Sequence, residues 1–174
     1  MEKVVFINMR EIDIYEFQDN YFKSVGKDYA LLTAGNEANF NTMTVAWATF
    51  GVVWGKNVIT CYVRHSRYTY EFMEKNDYFT LSFYNSDFKS QLNYLGSHSG
   101  RNENKVKNVG FTPFVCENCI SFNEARVTFL CKKIYHQDLD DSQISNEIKE
   151  RYYPRGDFHR FYVGEIIKIL SKEK

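Results

Sequence analysis

The stretch from residue 41 to residue 54 constrains the fold most, because a polar turn passes there directly into a long apolar run. Turn residues lie between Asn36 and Asn41, and β-branched and aromatic residues follow, which is typical of a loop that opens into a strand. We expect one strand over 42–54. Alternation along it gives two faces, one with Met43, Val45, Trp47 and Thr49, the other with Thr42, Thr44, Ala46 and Ala48. The second face, with small and hydroxyl-bearing side chains, would leave room for a flat ligand.

A phosphate site is predicted at the end of the next strand. That strand is expected over 58–63, after a turn at 55–57, and forms a hairpin with the first. Arg64 and Arg67 then flank Ser66, whose side chain is suited to cap a helix that follows. Free amides at a helix start, together with two guanidinium groups, would bind a phosphate. A flat-ligand strand beside a phosphate site indicates a nucleotide-like cofactor.

The remaining pattern predicts a mainly β fold with short helices. Strands are expected within the first residues of the segment 1–28 and at 29–35, 78–83, 125–135 and 161–170, the last two as partners. A short helix or turn is expected at 14–22, helices at 66–76, 88–95 (closed by Gly96) and 143–152 (stopped by Pro154), and a helical turn at 105–107. Many strands with short inserted helices indicate an antiparallel barrel. No linker-like segment divides the 174 residues, so we expect one domain over 1–174.

Charge and composition argue against several classes of protein. The 22 basic and 22 acidic residues give a formal net charge of zero, with no block of one sign, which disfavours a protein that binds nucleic acid or a membrane surface. The first residues carry charges, and no apolar run approaches the length that spans a membrane. We therefore predict a cytoplasmic protein, in which Cys61, Cys116, Cys119 and Cys131 are reduced thiols.

A third candidate site is the loop from Gly96 to Arg101, followed by Lys105. Glycine and serine expose backbone amides that can form an anion-binding concavity, and Arg101 and Lys105 add positive charge. His98 lies at the centre of the Gly-Ser-His-Ser-Gly string, where a hydrolase of the nucleophile-elbow type would have a serine. The loop therefore predicts anion binding and not hydrolysis.

Metal and dinucleotide motifs are not predicted. Cys116 and Cys119 have the spacing of a redox or zinc motif, but no second ligand pair follows and no helix starts there, so we interpret them as ordinary thiols. The four histidines lack metal spacing. The chain also has no Gly-x-Gly-x-x-Gly or Walker-type loop.

Taken together, these motifs resemble those of the flavin reductase-like, FMN-binding split-barrel family, which includes flavoredoxin. The residues that carry the resemblance are Asn41-Thr42-Met43-Thr44 with Trp47, Arg64 with Arg67-Tyr68-Thr69, and Ser99-Gly100-Arg101 with Lys105. Glu124-Ala125 and Val163-Gly164-Glu165-Ile166 also fit, and the match covers roughly residues 20–170. Asn57 and His65 stand where the family often has proline.

The resemblance implies a homodimeric split β-barrel with FMN at the subunit interface. It implies that Thr42, Met43 and Thr44 contact the flavin ring, with Asn41 and Trp47 in the same site. Arg64, Arg67, Tyr68 and Thr69 would surround the ring edge and phosphate. Ser99, Gly100, Arg101 and Lys105 would close over the phosphate or ribityl end, from the same or the partner subunit. No side chain is expected to act as a general acid or base.

Three functions are compatible with this site. The resemblance favours a flavin oxidoreductase that accepts hydride from NADH or NADPH. The alternative is a flavoredoxin-like electron carrier, in which FMN stays tightly bound and a ferredoxin-like protein exchanges electrons with it. The third is a flavin-binding domain without redox turnover. The residues alone do not distinguish NADH from NADPH, or a prosthetic flavin from an exchanging one.

Overall fold

The computed structural model describes residues 9–172, which form a mainly β structure with short helices. The strands are β1 (Arg10–Ile12), β2 (Ala30–Asn36), β3 (Asn39–Val45), β4 (Ala48–Val53), β5 (Lys56–Arg64), β6 (Tyr78–Phe83), β7 (Pro113–Cys116), β8 (Cys119–Phe122), β9 (Val127–Asp138) and β10 (His159–Ser171). The helices are α1 (Tyr21–Lys23), α2 (Tyr68–Lys75), α3 (Lys89–Ser97), α4 (Lys105–Asn108) and α5 (Asn146–Tyr152), with a π-helical segment at Ser24–Asp28 and 3-10 turns at Ser86–Phe88 and Asp141–Gln143.

One antiparallel sheet organises the chain, in the order β3-β2-β6-β9-β10-β5-β4, and β1 pairs with the end of β10. The two edge strands, β3 and β4, are separated in sequence by only Ala46 and Trp47. Three consecutive Cα steps span at most about 11 Å, so the sheet has to curl until its two edges approach each other at these residues. The line along which the edges meet, here called the seam, is where the cavities described below begin.

The single strand predicted over 42–54 is wrong, because the chain changes partners in the middle of it. β3 pairs with β2, whereas β4 pairs with β5, and the break falls at Ala46 and Trp47. An uninterrupted apolar run carries no signal for such a change of partner. The hairpin between β4 and β5 is confirmed, and its turn lies at Trp54 and Gly55, both with positive φ (52° and 69°), as a type I′ turn requires.

The other predicted elements are largely confirmed. The strands expected at 29–35, 78–83 and 161–170 are present as β2, β6 and β10, and the strand expected at 125–135 is present as β9, paired with β10. The helices expected at 66–76 and 88–95, the turn at 105–107 and the helix at 143–152 correspond to α2, α3, α4 and α5. The segment 14–22, expected as a short helix or turn, contains a turn at residues 14–16 and the start of α1, which covers Tyr21–Lys23. A strand was also expected within the first residues of the chain. Residues 1–8 lie outside the described residues, and the first described strand is β1, at Arg10–Ile12.

The core lies inside the curled sheet, and a second cluster lies under the helices. Phe79, Leu81 and Phe129 are among the fully buried side chains within the sheet. Leu92 and Leu95 of α3 belong to the second cluster, which packs α3 beside β3. Within the described residues, no helix is long and apolar enough to cross a membrane.

Gly96 does not close α3 as predicted, because the helix continues to Ser97. A Cβ atom at Gly96 would lie 2.9 Å from the Cβ atom of Thr44, so glycine is what allows α3 to approach β3 this closely. The Thr44 hydroxyl donates a hydrogen bond to the carbonyl of Leu92, which fixes the helix against the strand. This contact places the end of α3, and the loop after it, next to the seam.

Candidate functional site

Three adjoining cavities form a trench along the seam and the starts of α2 and α4. The seam cavity, of about 230 Å³, is lined by Met43, Thr44, Val45, Ala46, Trp47, Tyr62, Arg64, Arg67 and His159. The central cavity, of about 270 Å³, is lined by Asn41, Met43, Arg64, Ser66, Arg67, Tyr68, Thr69, Ser97, His98, Ser99, Gly100 and Lys105. The outer cavity, of about 460 Å³, is lined by Ala38, Asn39, Phe40, Asn41, Tyr68, Gly100, Arg101, Asn102, Glu103, Asn104, Lys105 and Val106.

Shared lining residues give the three cavities a linear order. Met43, Arg64 and Arg67 line both the seam cavity and the central cavity. Asn41, Tyr68, Gly100 and Lys105 line both the central cavity and the outer cavity. The seam and outer cavities have no lining residue in common, so the central cavity connects them.

The structure brings together all but one of the site residues predicted from the sequence. Those that line the trench are Asn41, Met43, Thr44, Trp47, Arg64, Arg67, Tyr68, Thr69, Ser99, Gly100, Arg101 and Lys105. Thr42 is the exception, because it is fully buried and lines none of the three cavities. Its hydroxyl accepts a hydrogen bond from Thr33 at 2.9 Å and donates one to the carbonyl of Leu32 at 3.2 Å. A ligand-facing Thr42 hydroxyl is therefore wrong.

Within the described part of the chain, three cations around the central cavity donate hydrogen bonds to backbone carbonyls and to no side chain. Arg64 donates to Tyr152 (2.8 Å) and Asp157 (3.0 Å), and Arg67 donates to Gly96 (3.0 Å). Within residues 9–172, no carboxylate oxygen lies within 4.0 Å of the cationic nitrogens of Arg64, Arg67 or Lys105. Within the described residues, none of these three cations is therefore paired directly with a carboxylate, although Arg67 is exposed to solvent.

Lys105 is the most unusual of the three, because it is almost completely buried. Its ammonium group donates to the carbonyls of Leu95 at 2.7 Å and His98 at 3.0 Å, close to the end of α3. Burial lowers the pKa of Lys105 to about 8, and the positive charge of Arg67 lowers it further. An ammonium group has three donors, so one remains for another acceptor.

Arg101 differs from these three cations, because its charge is already paired. It forms an ion pair with Glu71 of α2, and its guanidinium group lies 4.8 Å from the centre of the Tyr68 ring. It also donates a long hydrogen bond of 3.4 Å to the carbonyl of Ser66. Arg101 thus holds the loop after α3 against the start of α2, at the wall of the outer cavity.

The predicted cap of α2 is wrong. Arg67 occupies the capping position, and Ser66 instead binds the carboxylate of Asp157, through its amide at 3.2 Å and its hydroxyl at 2.6 Å. Asp157 lies 91 residues further along the chain, so local sequence patterns could not reveal this contact. The amide of Ser66 is therefore occupied, and the phosphate site predicted here depends on the cations more than on the helix start.

His159 is a functional candidate that sequence reasoning missed. It is the first residue of β10, directly opposite Arg64 of β5, and it lines the seam cavity beside Trp47, with ring centres 4.7 Å apart. Its Nδ1 atom is 2.7 Å from the Tyr153 hydroxyl. Burial, with a smaller contribution from the charge of Arg64, lowers the pKa of His159 to about 4. The imidazole is therefore neutral near pH 7.

Comparison with known proteins settles the family. The sequence model of the protein family described as "Flavin reductase like domain" matches residues 22–174 of this chain. The chain belongs to this family. Among curated proteins, none matches it significantly by sequence.

Solved structures of this family share the fold. An FMN-binding domain of a flavin reductases-like enzyme from Shewanella baltica is 16% identical, with a TM-score of 0.68 over 95% of this chain and 78% of that chain. Flavoredoxin from Methanosarcina acetivorans is 25% identical, with a TM-score of 0.64 over 84% of this chain and 69% of that chain. The styrene monooxygenase flavin reductase of Pseudomonas putida is 13% identical, with a TM-score of 0.61 over 84% and 80%.

The cysteines of this flavin reductase-like chain lie outside the trench. All four are free and buried, and Cys116 and Cys119 face each other across the β7–β8 hairpin. Burial raises the pKa of the Cys116 thiol to about 11 and that of the Cys119 thiol to about 12. Both thiols are therefore protonated near pH 7, which disfavours a nucleophilic or redox role.

Proposed function

We propose that this protein binds FMN in the trench and acts as a flavin oxidoreductase that accepts hydride from NADH or NADPH. The observation that carries the proposal is the group of three cations, Arg64, Arg67 and Lys105, whose charge no carboxylate neutralises in the described residues. Lys105 is almost completely buried, and a buried cation without a carboxylate partner favours the binding of an anion, which Arg64 and Arg67 can bind as well. Membership of the family makes a flavin phosphate the natural candidate.

The lining of the trench fits FMN. The seam cavity combines apolar and aromatic side chains, among them Met43, Val45 and Trp47, with polar groups, which suits a planar ring with polar edges. The central cavity adds the three cations and the hydroxyl groups of Thr69 and Ser99, which suit a phosphate. Each of these two cavities is smaller than the roughly 300–1,000 Å³ typical of ligand pockets, but joined together they reach that range.

Bound FMN would supply the redox chemistry, so the protein's tasks are binding, orientation and electrostatics. Trp47 lines the seam cavity, and the Tyr152 ring supports it from outside in edge-to-face contact at 5.4 Å. His159 adds no positive charge there, since its imidazole is neutral. Arg64 and Arg67 carry positive charge at both the seam cavity and the central cavity, and Lys105 adds charge to the central cavity, where a phosphate would lie.

An absorption spectrum and an anaerobic titration test this function. The purified protein, incubated with FMN and passed through a desalting column, should retain a flavin spectrum. We expect this spectrum to bleach on the timescale of mixing when NADH or NADPH is added without oxygen. A protein that retains no flavin contradicts the proposal.

An electron carrier is the second candidate, favoured by the 25% identity to flavoredoxin from Methanosarcina acetivorans. In this case a ferredoxin-like protein would exchange electrons with the bound flavin. The same titration separates the two functions. A flavin that persists with nicotinamide but bleaches with reduced ferredoxin supports the carrier and contradicts the reductase.

We also propose that residues 1–174 act as one domain in a cytoplasmic homodimer. Val52 and Trp54 are 69% and 66% exposed, and Trp54 contacts Tyr135, itself 42% exposed, across the same face of the sheet. An exposed apolar patch of this kind favours association with a second copy. Light scattering should give twice the mass of one chain, and Trp54→Lys should shift the protein to the monomer. A monomeric wild-type protein contradicts the homodimer.

A further inference from the structure

We propose that helix α5 and the segment after it form a docking surface for an acidic redox protein, which exchanges electrons with the flavin one at a time. This docking surface, here called the α5 surface, consists of Ile148, Lys149, Arg151, Tyr152 and Arg155. The inference rests on the proposed function, because it requires a flavin ring in the seam cavity. It goes beyond that function by adding a protein partner and the place where this partner binds.

Helix α5 lacks the packing that normally stabilises a short helix. None of its seven residues is buried. Isolated helices shorter than about 12–15 residues are marginal in water, and most helical stability in proteins comes from packing an apolar face. Ile148 and Tyr152, one helical turn apart, nevertheless remain 46% and 38% exposed. They form an apolar strip that is available to another molecule.

The charges of α5 are separated between two faces of the helix. At about 100° per residue, Lys149 and Arg151 flank the apolar strip on its two sides, whereas Glu147 and Glu150 lie on the opposite face. Arg155 follows the helix and is exposed. Within residues 9–172, no carboxylate oxygen lies within 4.0 Å of the cationic nitrogens of Lys149, Arg151 or Arg155. The apolar strip is therefore bordered by free positive charge.

The α5 surface adjoins the seam cavity. The ring of Tyr152 contacts the ring of Trp47 at 5.4 Å, and Trp47 lines the cavity. Arg64, which also lines the cavity, donates to the carbonyl of Tyr152 at 2.8 Å and so fixes the end of α5 beside it. A partner that covers Tyr152 would therefore be separated from a flavin ring in the seam cavity mainly by the Trp47 side chain.

Charge and size indicate the kind of partner. The three cations of the α5 surface lie beside Arg64 and Arg67, which line the seam cavity, although the formal net charge of the chain is zero. A local positive field attracts an acidic protein and steers it towards the flavin. The surface is also small, as in transient redox complexes, which bury less than about 1,200 Å². A nicotinamide dinucleotide would use the cations but not the apolar strip, which favours a protein.

Electrons balance in such an exchange, because the flavin converts between one-electron and two-electron steps. Two molecules of a reduced ferredoxin would each lose one electron to one bound flavin, which takes up its protons from water. In the opposite direction, a flavin reduced by hydride from a nicotinamide would reduce two one-electron acceptors and release its protons to water.

Stopped-flow spectroscopy tests the docking surface, with the FMN-loaded protein mixed without oxygen with a reduced ferredoxin of strongly negative net charge. We expect the second-order rate constant for flavin bleaching to fall by about tenfold or more between about 0.02 M and 0.5 M salt. Arg151→Glu/Arg155→Glu should lower this rate constant by about tenfold or more at low salt, while changing the dissociation constant for FMN by less than about twofold.

The matched control is Lys27→Glu/Lys132→Glu. Both lysines are exposed, neither lines the trench, and the double substitution changes the net charge by the same amount. This control should keep the rate constant for ferredoxin within about threefold of the wild-type value. An equal loss of rate in the two double variants would mean that total charge, and not the α5 surface, governs the reaction.

Other results would also overturn the inference. A rate constant that does not depend on salt removes the electrostatic docking. If Arg151→Glu/Arg155→Glu raises the KM for NADH but not the reaction time with ferredoxin, these cations bind the nicotinamide dinucleotide. If the same variant becomes a monomer by light scattering while the wild-type protein is a dimer, a second copy covers α5. If the protein retains no FMN, the proposed function fails and this inference fails with it, whereas a protein that retains FMN but fails the ferredoxin test contradicts this inference alone.

Discussion

Replacing both Arg64 and Arg67 by alanine should raise the dissociation constant for FMN by about 100-fold or more. Each guanidinium group lines both the seam and central cavities and carries a charge that no carboxylate offsets in the described residues. A hydrogen bond to a charged group contributes roughly 1.5–3 kcal/mol, and two such losses correspond to a factor of at least about 100. A fluorescence titration of the purified double variant with FMN measures the change.

The control has to allow for the second role of Arg64, which also binds the carbonyls of Tyr152 and Asp157. Arg151→Ala/Arg155→Ala removes the same charge from the segment that Arg64 holds, but neither residue lines the trench. This control should bind FMN as the wild-type protein does. An Arg64→Ala/Arg67→Ala variant that is folded by circular dichroism and keeps wild-type affinity would show that the cations do not bind the phosphate.

Local motifs predicted most of this site, because each motif contributes a short continuous wall to the trench. The stretch around Met43, the pair Arg64 and Arg67, and the loop from Ser99 to Lys105 converge as expected. Their convergence depends on strands that alternate clearly and on two amphipathic helices, and both kinds of pattern are visible in the sequence. The order of the motifs was then sufficient to suggest the family.

The errors concern contacts between distant segments. Thr42 and Met43 are both buried, but only Met43 lines the trench, and alternation alone defines two equivalent faces without showing which side chains reach a cavity. Asp157 reaches Ser66, and His159 lies opposite Arg64, only because β10 pairs with β5. A histidine at the start of a late strand has no local signal for function, so the sequence alone does not distinguish His159 from the other three histidines.

Lys105 gives the second large effect, which depends on pH. Lys105→Met should raise the dissociation constant for FMN by about 10- to 100-fold at pH 7, where the buried ammonium group of the wild-type protein is mostly charged. The pKa of Lys105 is lowered to about 8 in the free protein, and a bound phosphate would raise it again. Binding therefore takes up a proton above pH 8, and wild-type affinity should fall there by up to about tenfold per pH unit.

The sign follows from linkage, since the state that holds the proton more tightly is disfavoured as the pH rises. Phosphate monoesters have their second pKa near 6, so the charge of the phosphate is constant across this window. Lys107→Met is the matched control, because Lys107 is exposed on α4, two residues away, and does not line the trench. FMN titrations at pH 7, 8, 9 and 10 should show the loss of affinity in the wild-type protein and in Lys107→Met but not in Lys105→Met. If the FMN affinity of Lys105→Met falls with pH as steeply as that of the wild-type protein, another group is responsible for the pH dependence. If Lys105→Met has wild-type affinity for FMN at pH 7, Lys105 is not part of the phosphate site.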